Sequence, residues 1–383
     1  MEQINWYDVI KVADEIFFFC FMVFTCYLFI FAFFSFKGQR KRYPKTSKKH
    51  RYVVFFPIKG FDAAIVDSIK SFLEQGYSRE NFELVVVYDK LTPTALQTLK
   101  SMSVILLGNP DGWQSRARML EYAIRQLNNT TYDAVLIMKP GDTIDKNYLE
   151  EINDAYHAGG MVIQTHVVAK KLKTNTAILN AVSEEINNAI FRRGHVLLGF
   201  SASLIGSGMV FNYEWLKKNL PKIKRYHGLT KQLESLLLKQ GLFIEYLEHV
   251  HTYEEKVKSV ADFDKQRRNW YAIKRYSLRK SLKHFPKALF VGNFDYCDKI
   301  FQWIMPSRIL MVAFVFLVTI LLSCFYWTLS IKWWGLLFFL ALTFSIATPG
   351  KFIRFRTVWA LITLPIISLS ILKNLLFSRK KNG

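Results

Sequence analysis

Cysteine is nearly missing from this chain: 383 residues contain four, Cys20, Cys26, Cys297 and Cys324. None stands in a Cys-x-x-Cys or Cys/His spacing, so neither a disulfide framework nor a zinc site is written into the sequence. Acidic residues are also in short supply. Thirty Asp and Glu oppose 52 Lys and Arg, for a net charge of +22, an excess that taken alone points to nucleic acid as a partner. The placement of the charge excludes that reading. Basic residues crowd at 37–51 and 265–283, beside long apolar runs, and no RNA- or DNA-binding module is present. The apolar runs in turn lack the ionisable residues that mark a substrate path through a transporter.

What is abundant is apolar surface. A content of 51% hydrophobic and 16% aromatic residues coexists with so large a charge only if the two occupy different parts of the chain. Residues 16–36, IFFFCFMVFTCYLFIFAFFSF, carry no charge; at ~1.5 Å per residue such a helix crosses a ~30 Å hydrocarbon core. A cleaved leader needs a basic start, a shorter apolar run and a small-residue cleavage site. Here Glu2, Asp8, Asp14 and Glu15 precede the run, and Lys37, Arg40, Lys41 and Arg42 follow it. The charge bias predicts an uncleaved anchor, with the N-terminus outside and the chain from Lys37 in the cytoplasm. Two further runs, 309–329 and 333–348, form a helical hairpin candidate. A third, 358–372, is broken by Pro365 and basic on both flanks, so charge leaves open whether it crosses, and two to three C-terminal membrane helices are expected. Residues 286–306 mix aromatics with scattered charges, which suits a helix lying in the interface, or an ordinary amphipathic helix of the soluble part. The organisation read from sequence is an anchor at 1–36, a basic linker at 37–50, a soluble domain at 51–285, an interfacial helix at 286–306, and a membrane region with a basic tail at 307–383.

The soluble region alternates short β-branched runs (YVVFFPI, FELVVVYD, VILLG, AVLIM) with helix-length segments. That alternation predicts parallel strands with right-handed crossovers, an α/β, Rossmann-like doubly wound sheet. Ligands of such sheets sit at the carboxyl ends of the strands, which here means Pro57 to Asp62, Asp89 and Lys139 to Asp142.

The order of these segments resembles glycosyltransferase family 2, in particular its membrane-embedded processive synthases of cellulose, hyaluronan and poly-N-acetylglucosamine. VVFFPIKGFD is similar to the family's opening strand and proline turn, VVVYDK to the strand whose terminal aspartate, here Asp89, contacts the nucleotide. GSGMVF, with Gly206, Ser207 and Gly208, is similar to the small-residue strand under the acceptor, and KQRRNW to the Gln-x-x-Arg-Trp motif, giving Gln266, Arg267, Arg268 and Trp270 an acceptor-side role. The resemblance implies a GT-A type cytoplasmic domain, a nucleotide-sugar donor, Mg or Mn as cofactor if the chain is active, the lipid bilayer as surroundings, and another membrane protein of glycan assembly as a partner.

The acids that the resemblance calls for are missing. Inverting transfer stabilises the leaving diphosphate, usually with a divalent cation on Asp-x-Asp, and removes the acceptor proton with a carboxylate. Counting back from Leu149 puts Lys139 and Gly141 in the two aspartate positions, with Asp142 one place late. Counting back from Gly241 puts Thr230 where the general-base aspartate belongs. Asn269 takes the arginine slot of the basic motif, and Arg116 with Glu121 stands where related sequences carry lysine and asparagine. Three readings follow. Lys139 supplies the charge of the metal, with Glu234, one turn after Thr230, or His227 recruited as base; or the fold persists without catalysis and the chain is a non-catalytic or partner-dependent subunit, the reading favoured by three independent departures; or the register is shifted and Asp142 with Asp145 holds a metal. Beside these stand plainer roles: a strand-ending turn for Lys139 to Asp142, a helix-approach cap for Asp89, and a basic face toward anionic lipid for 266–270.

Overall fold

The structure, a computed structural model, describes residues 6–38, 43–58, 64–109, 115–127, 131–170, 172, 174–223, 228–255 and 260–352. His227, Asp62 and the run at 358–372 lie outside the described residues.

A long helix, α1 (Trp6–Ser35), leads into the sheet domain. There β1 (Tyr52–Ile58), α2 (Ile65–Leu73), β2 (Phe82–Tyr88), α3 (Pro93–Lys100), β3 (Ile105–Gly108), α4 (Arg116–Gln126) and β4 (Ala134–Ile137) follow the expected alternation. The strands pair in parallel, Tyr52 with Phe82 and Ala134, and Val85 with Ile105. β1 is apolar throughout because both its faces are covered. Val53 and Phe55 pack toward α4, while Tyr52, Val54, Phe56 and Ile58 pack toward α2 and α5 (Tyr148–His157).

Beyond β4 the sheet departs from a purely parallel design. The remaining elements are β5 (Thr143–Ile144), β6 (Val162–Ala169), α6 (Asn175–Asn188), α7 (His195–Leu197), β7 (Met209–Asn212), α8 (Tyr213–Asn219), α9 (Leu229–Lys239) and β8 (Glu245–Glu254). Eight strands run in the order β3-β2-β1-β4-β7-β6-β8-β5. β7 is antiparallel to both β4 and β6, and β8 is parallel to β6. The carboxyl ends of β2, β1, β4, β6 and β8 therefore open on one side of the sheet, whereas sequence alternation alone predicted only the first four strands.

Two local expectations are corrected. Pro57 lies inside β1, paired with Val87, not in a turn. A central strand tolerates it because Phe55 accepts from Met138 N at the end of β4; two residues on, the same edge of β1 has outrun its neighbour and no ladder donor is lost. Likewise Gly206-Ser207-Gly208 is a bend before β7, with φ of +101° at Gly206 and +62° at Gly208. A Cβ on Gly208 would overlap Thr165 Oγ1, part of a buried trio in which Tyr148, Thr165 and Thr252 share hydrogen bonds of 2.8–3.0 Å.

After β8 come α10 (Val260–Leu282), α11 (Phe285–Phe290), α12 (Phe294–Ile304), α13 (Arg308–Phe325) and α14 (Trp327–Ala347). The stretch 286–306, expected as a single helix, forms two, because Gly292 turns with φ +74° and Asn293 caps α12 through Tyr296 N. Phe290 is 90% exposed and Val291 74%, an apolar corner suited to a bilayer surface. α1, α13 and α14 are each long and apolar enough to cross a membrane. They share one cluster built on Phe21, Leu28, Phe31, Val315, Trp333 and Leu340. At one end Lys332 pairs with Asp14 at 2.5 Å and Glu15 at 2.7 Å. At the other, Gly194 lets the π-helical turn Ala189–Gly194 close onto the Phe31 carbonyl, where a Cβ would overlap.

Candidate functional site

The sheet topology gathers a small polar site where β4 and β8 end. Lys139, the second residue after β4, extends its ammonium to the Glu254 carboxylate at the end of β8. The turn that follows needs the left-handed φ of +85° at Gly141, conformational space that glycine occupies without cost. It returns Asp142 N to the Lys139 carbonyl at 3.3 Å. Ser207 binds both sides of this turn: its hydroxyl donates to Asp142 Oδ2 at 2.5 Å and accepts from Lys139 N at 3.1 Å. Arg116, in the first turn of α4, lies in the field of Glu254 and Asp142; burial lowers its pKa, and those two carboxylates oppose the shift. Asp89 follows β2 on the same side of the sheet.

Thr230 arrives from α9. A Cβ on Gly206 would lie 3.1 Å from Thr230 Oγ1 and 4.0 Å from Lys139 Cε, so the bend brings together the positions assigned by counting to the metal clamp and the base. Thr230, Gly206, Ser207, Lys139, Asp142 and Arg116 thus form one neighbourhood. Glu254 completes it and was missed in the sequence. The signal available was the aromatic and histidine alternation of EYLEHVHTYE, a strand pattern whose last residue falls on the ligand side once β8 is placed parallel to β6.

The residues present do not fit a divalent cation. Asp142 is 2% exposed and held by Ser207 beside Arg116. Asp145 turns to β8, where it accepts from Tyr253 OH at 2.9 Å and meets His251 Nδ1 at 2.9 Å. Among the described residues no group of three His, Cys, Asp or Glu converges, and the one or two carboxylates that a cation shared with a donor's phosphates would need are engaged by Ser207, Tyr253 and His251.

Glu234 has other work. It is fully buried, accepts from Leu204 N at 3.1 Å, and pairs with Lys231 at 2.8 Å and Lys299 at 3.3 Å. Burial pushes its pKa up, and the two lysines more than reverse that, leaving it below the ordinary carboxylate value; such an anion is a weak proton acceptor. On α10, Gln266 and Arg268 are exposed and Trp270 is 39% exposed. Arg267 instead turns toward Tyr271 and Glu184, with burial lowering its pKa.

A family model described as glycosyl transferase family group 2 matches residues 134–346, the span that contains Lys139, Asp142, Gly206, Thr230 and Glu254. The chain belongs to this family. Among solved structures it is similar to the mannosyltransferase PcManGT from Pyrobaculum calidifontis, solved in complex with GDP-Man and Mn2+, with a TM-score of 0.58 at 13% identity over 96% of this chain and 100% of that one. S. aureus TarS 1–349 in complex with UDP-GlcNAc matches at a TM-score of 0.44 and 13% identity, over 87% and 93% of the two chains. No curated protein matches. The likeness to PcManGT shows that the family-2 chain has the GT-A type fold; the apolar helices α1, α13 and α14 flank it.

Proposed function

We propose that this family-2 chain is a membrane-embedded, metal-independent glycosyltransferase of glycan assembly, with its N-terminus outside and its sheet domain in the cytoplasm. A nucleotide-sugar donor lies at the carboxyl ends of β1, β2 and β4, near Pro57 and Asp89, and its diphosphate rests on Lys139 and Arg116. The observation that carries this reading is the contact between Lys139 and Glu254. An ammonium about 4 Å from one phosphate charge gains ~4 kcal/mol at an effective dielectric of ~20, and a diphosphate brings more than one charge where Glu254 brings one. Donor binding therefore draws Lys139 off Glu254. The released carboxylate, close to Thr230, becomes the general base that the counted position lacks, accepting the acceptor hydroxyl proton as that oxygen attacks the anomeric carbon and the nucleoside diphosphate leaves.

A second reading, the non-catalytic or partner-dependent subunit, is favoured by Thr230 at the base position and by the neutralisation of Lys139 within the chain itself. Purified full-length protein in detergent, offered a panel of nucleotide sugars with and without chelator, decides between them. Metal-independent release of nucleoside diphosphate, reduced ~100-fold or more in Glu254→Gln, is the expected result. A nucleotide-dependent rise in melting temperature with no turnover of any donor leaves the subunit reading standing, and turnover lost on chelation overturns the metal-free site.

A further inference from the structure

We propose that the cations gathered between α9, α10, α12 and the first turn of α13 bind the phosphate headgroup of a membrane amphiphile. The site deepens the reading above by naming the acceptor class, an amphiphile anchored by its phosphate and glycosylated at a hydroxyl beyond it, and rests on that reading for its part in transfer; binding itself does not depend on it.

Six positively charged side chains meet here: Arg192, Lys231, Arg267, Lys274, Lys299 and Arg308. Lys231 and Lys299 share Glu234. Arg192 pairs with Glu184 at 3.0 Å, and Arg267 and Arg308 lie in the field of the same carboxylate and of each other. Lys299 also borders Asp298, which is already engaged by Tyr27 and His195. Lys274 donates to the Met305 carbonyl at 2.6 Å and lies 5.1 Å from the Trp270 ring centre. Among the described residues, then, six cations are answered by three carboxylates. Burial lowers the pKa of Lys231 with repulsion from Lys299 and Arg192 added, and burial with repulsion from Lys231 brings Lys274 to about 8. Like charges kept together at low dielectric are costly unless an anion joins them.

Two donors in the cluster also lack partners. Arg308 Nη1 and Trp303 Nε1 are buried and make no hydrogen bond among the described residues, although Arg308 Nη2 is anchored on Ser183 at 2.9 Å and Lys231 lies over the Trp303 ring. Buried donors are rarely left unsatisfied unless a ligand or water completes them. Lys299 and Arg192 lie deepest, 1% and 5% exposed, each held by Ser203. Lys231, Arg267, Lys274 and Arg308 are partly exposed.

The surroundings select an amphiphile over a free ion. Arg308 opens α13, and the next residues, Ile309 and Leu310, pack with Tyr271, Val182 and Leu179 in a small apolar cluster beside it. A ligand with phosphate at the cations can lay its hydrocarbon along α13. Lys231 also follows Thr230 directly, so a headgroup held here lies next to the reaction site.

The test uses full-length protein in phosphatidylcholine nanodiscs without donor, titrated with hexadecyl phosphate, hexadecanol or inorganic phosphate and read by melting temperature and calorimetry. Saturable binding of hexadecyl phosphate is expected, with none by hexadecanol and binding of inorganic phosphate at least ~10-fold weaker. Lys231→Gln and Lys274→Gln should each weaken hexadecyl phosphate ~10-fold or more, and Lys274→Arg, which keeps charge and controls for folding, much less. Equal binding of the alcohol and the phosphate, or affinities untouched by both glutamine variants, would overturn the site. Inorganic phosphate binding as tightly as the amphiphile would overturn the lipid assignment. Because no donor is present, absent turnover in the transferase assay leaves this result intact.

Discussion

Two charged regions meet at the first turn of α9 and solve opposite problems. On the Thr230 side, charge closes on itself: Lys139 is paired with Glu254, Ser207 bridges Asp142 to the Lys139 amide, and Arg116 faces both carboxylates. On the Lys231 side, among the described residues, cations outnumber carboxylates, and Arg308 Nη1 and Trp303 Nε1 are left without partners. A site balanced by its own side chains opens only to a ligand that outcompetes them, as a diphosphate does one carboxylate. A site in charge excess is poised for an anion from outside. On the function proposed above, the donor takes the first and the acidic headgroup the second.

The largest expected effect tests whether the second region really depends on its few carboxylates. Glu234→Gln leaves Lys231 and Lys299 facing each other with one anion gone, and breaking a buried pair from one side costs about 3–5 kcal/mol. Asp142→Asn, in the balanced region, keeps an acceptor for Ser207 and should cost only ~1 kcal/mol. Thermal unfolding in detergent compares the two. If the asparagine variant melts as low as the glutamine variant, the contrast between the regions is wrong.

A smaller effect separates the regions by ligand. Lys139→Met should weaken nucleotide binding roughly 100-fold, the loss of one charge-assisted contact, while Lys274→Gln leaves it unchanged. Equal losses in both variants, measured by calorimetry with nucleoside diphosphate, would merge the two sites into one.

How much of this was legible in the sequence follows from which forces act locally. β1 and β4 are continuous apolar runs buried along their length, β2 and β3 are nearly as apolar, and such runs can be read directly. β8 is held in the sheet by β6, far away in sequence, and its polar residues hid both the strand and Glu254. Thr230 and Glu234 sit one turn apart on α9, and periodicity alone places them together. The structure separates them because Lys299, from α12, draws the carboxylate inward while Thr230 faces Gly206. Lys139 in the aspartate position was legible as a change of sign; its partner was not.

The smallest expected effect is a pH dependence confined to the cation-rich region. Lys274 faces the Lys231 ammonium from α9, the Trp270 ring from its own helix and the Met305 carbonyl after α12, and it titrates at about 8 in the folded chain. An unfolded lysine holds its proton to ~10.4. Between those values the unfolded state binds more protons than the folded one, so stability rises with pH across that window, and below pH 8 the full cost of the buried charge is present. Lys231→Gln removes the repelling neighbour, raises the Lys274 pKa and flattens the rise. Saturating hexadecyl phosphate should do the same by a different route, giving the ammonium the anion it lacks and drawing a proton onto it near pH 9. Unfolding measured at pH 7.5 and 9.5, with and without the amphiphile, reads both changes, and a slope unaffected by either would place Lys274 outside the cluster that the geometry puts it in.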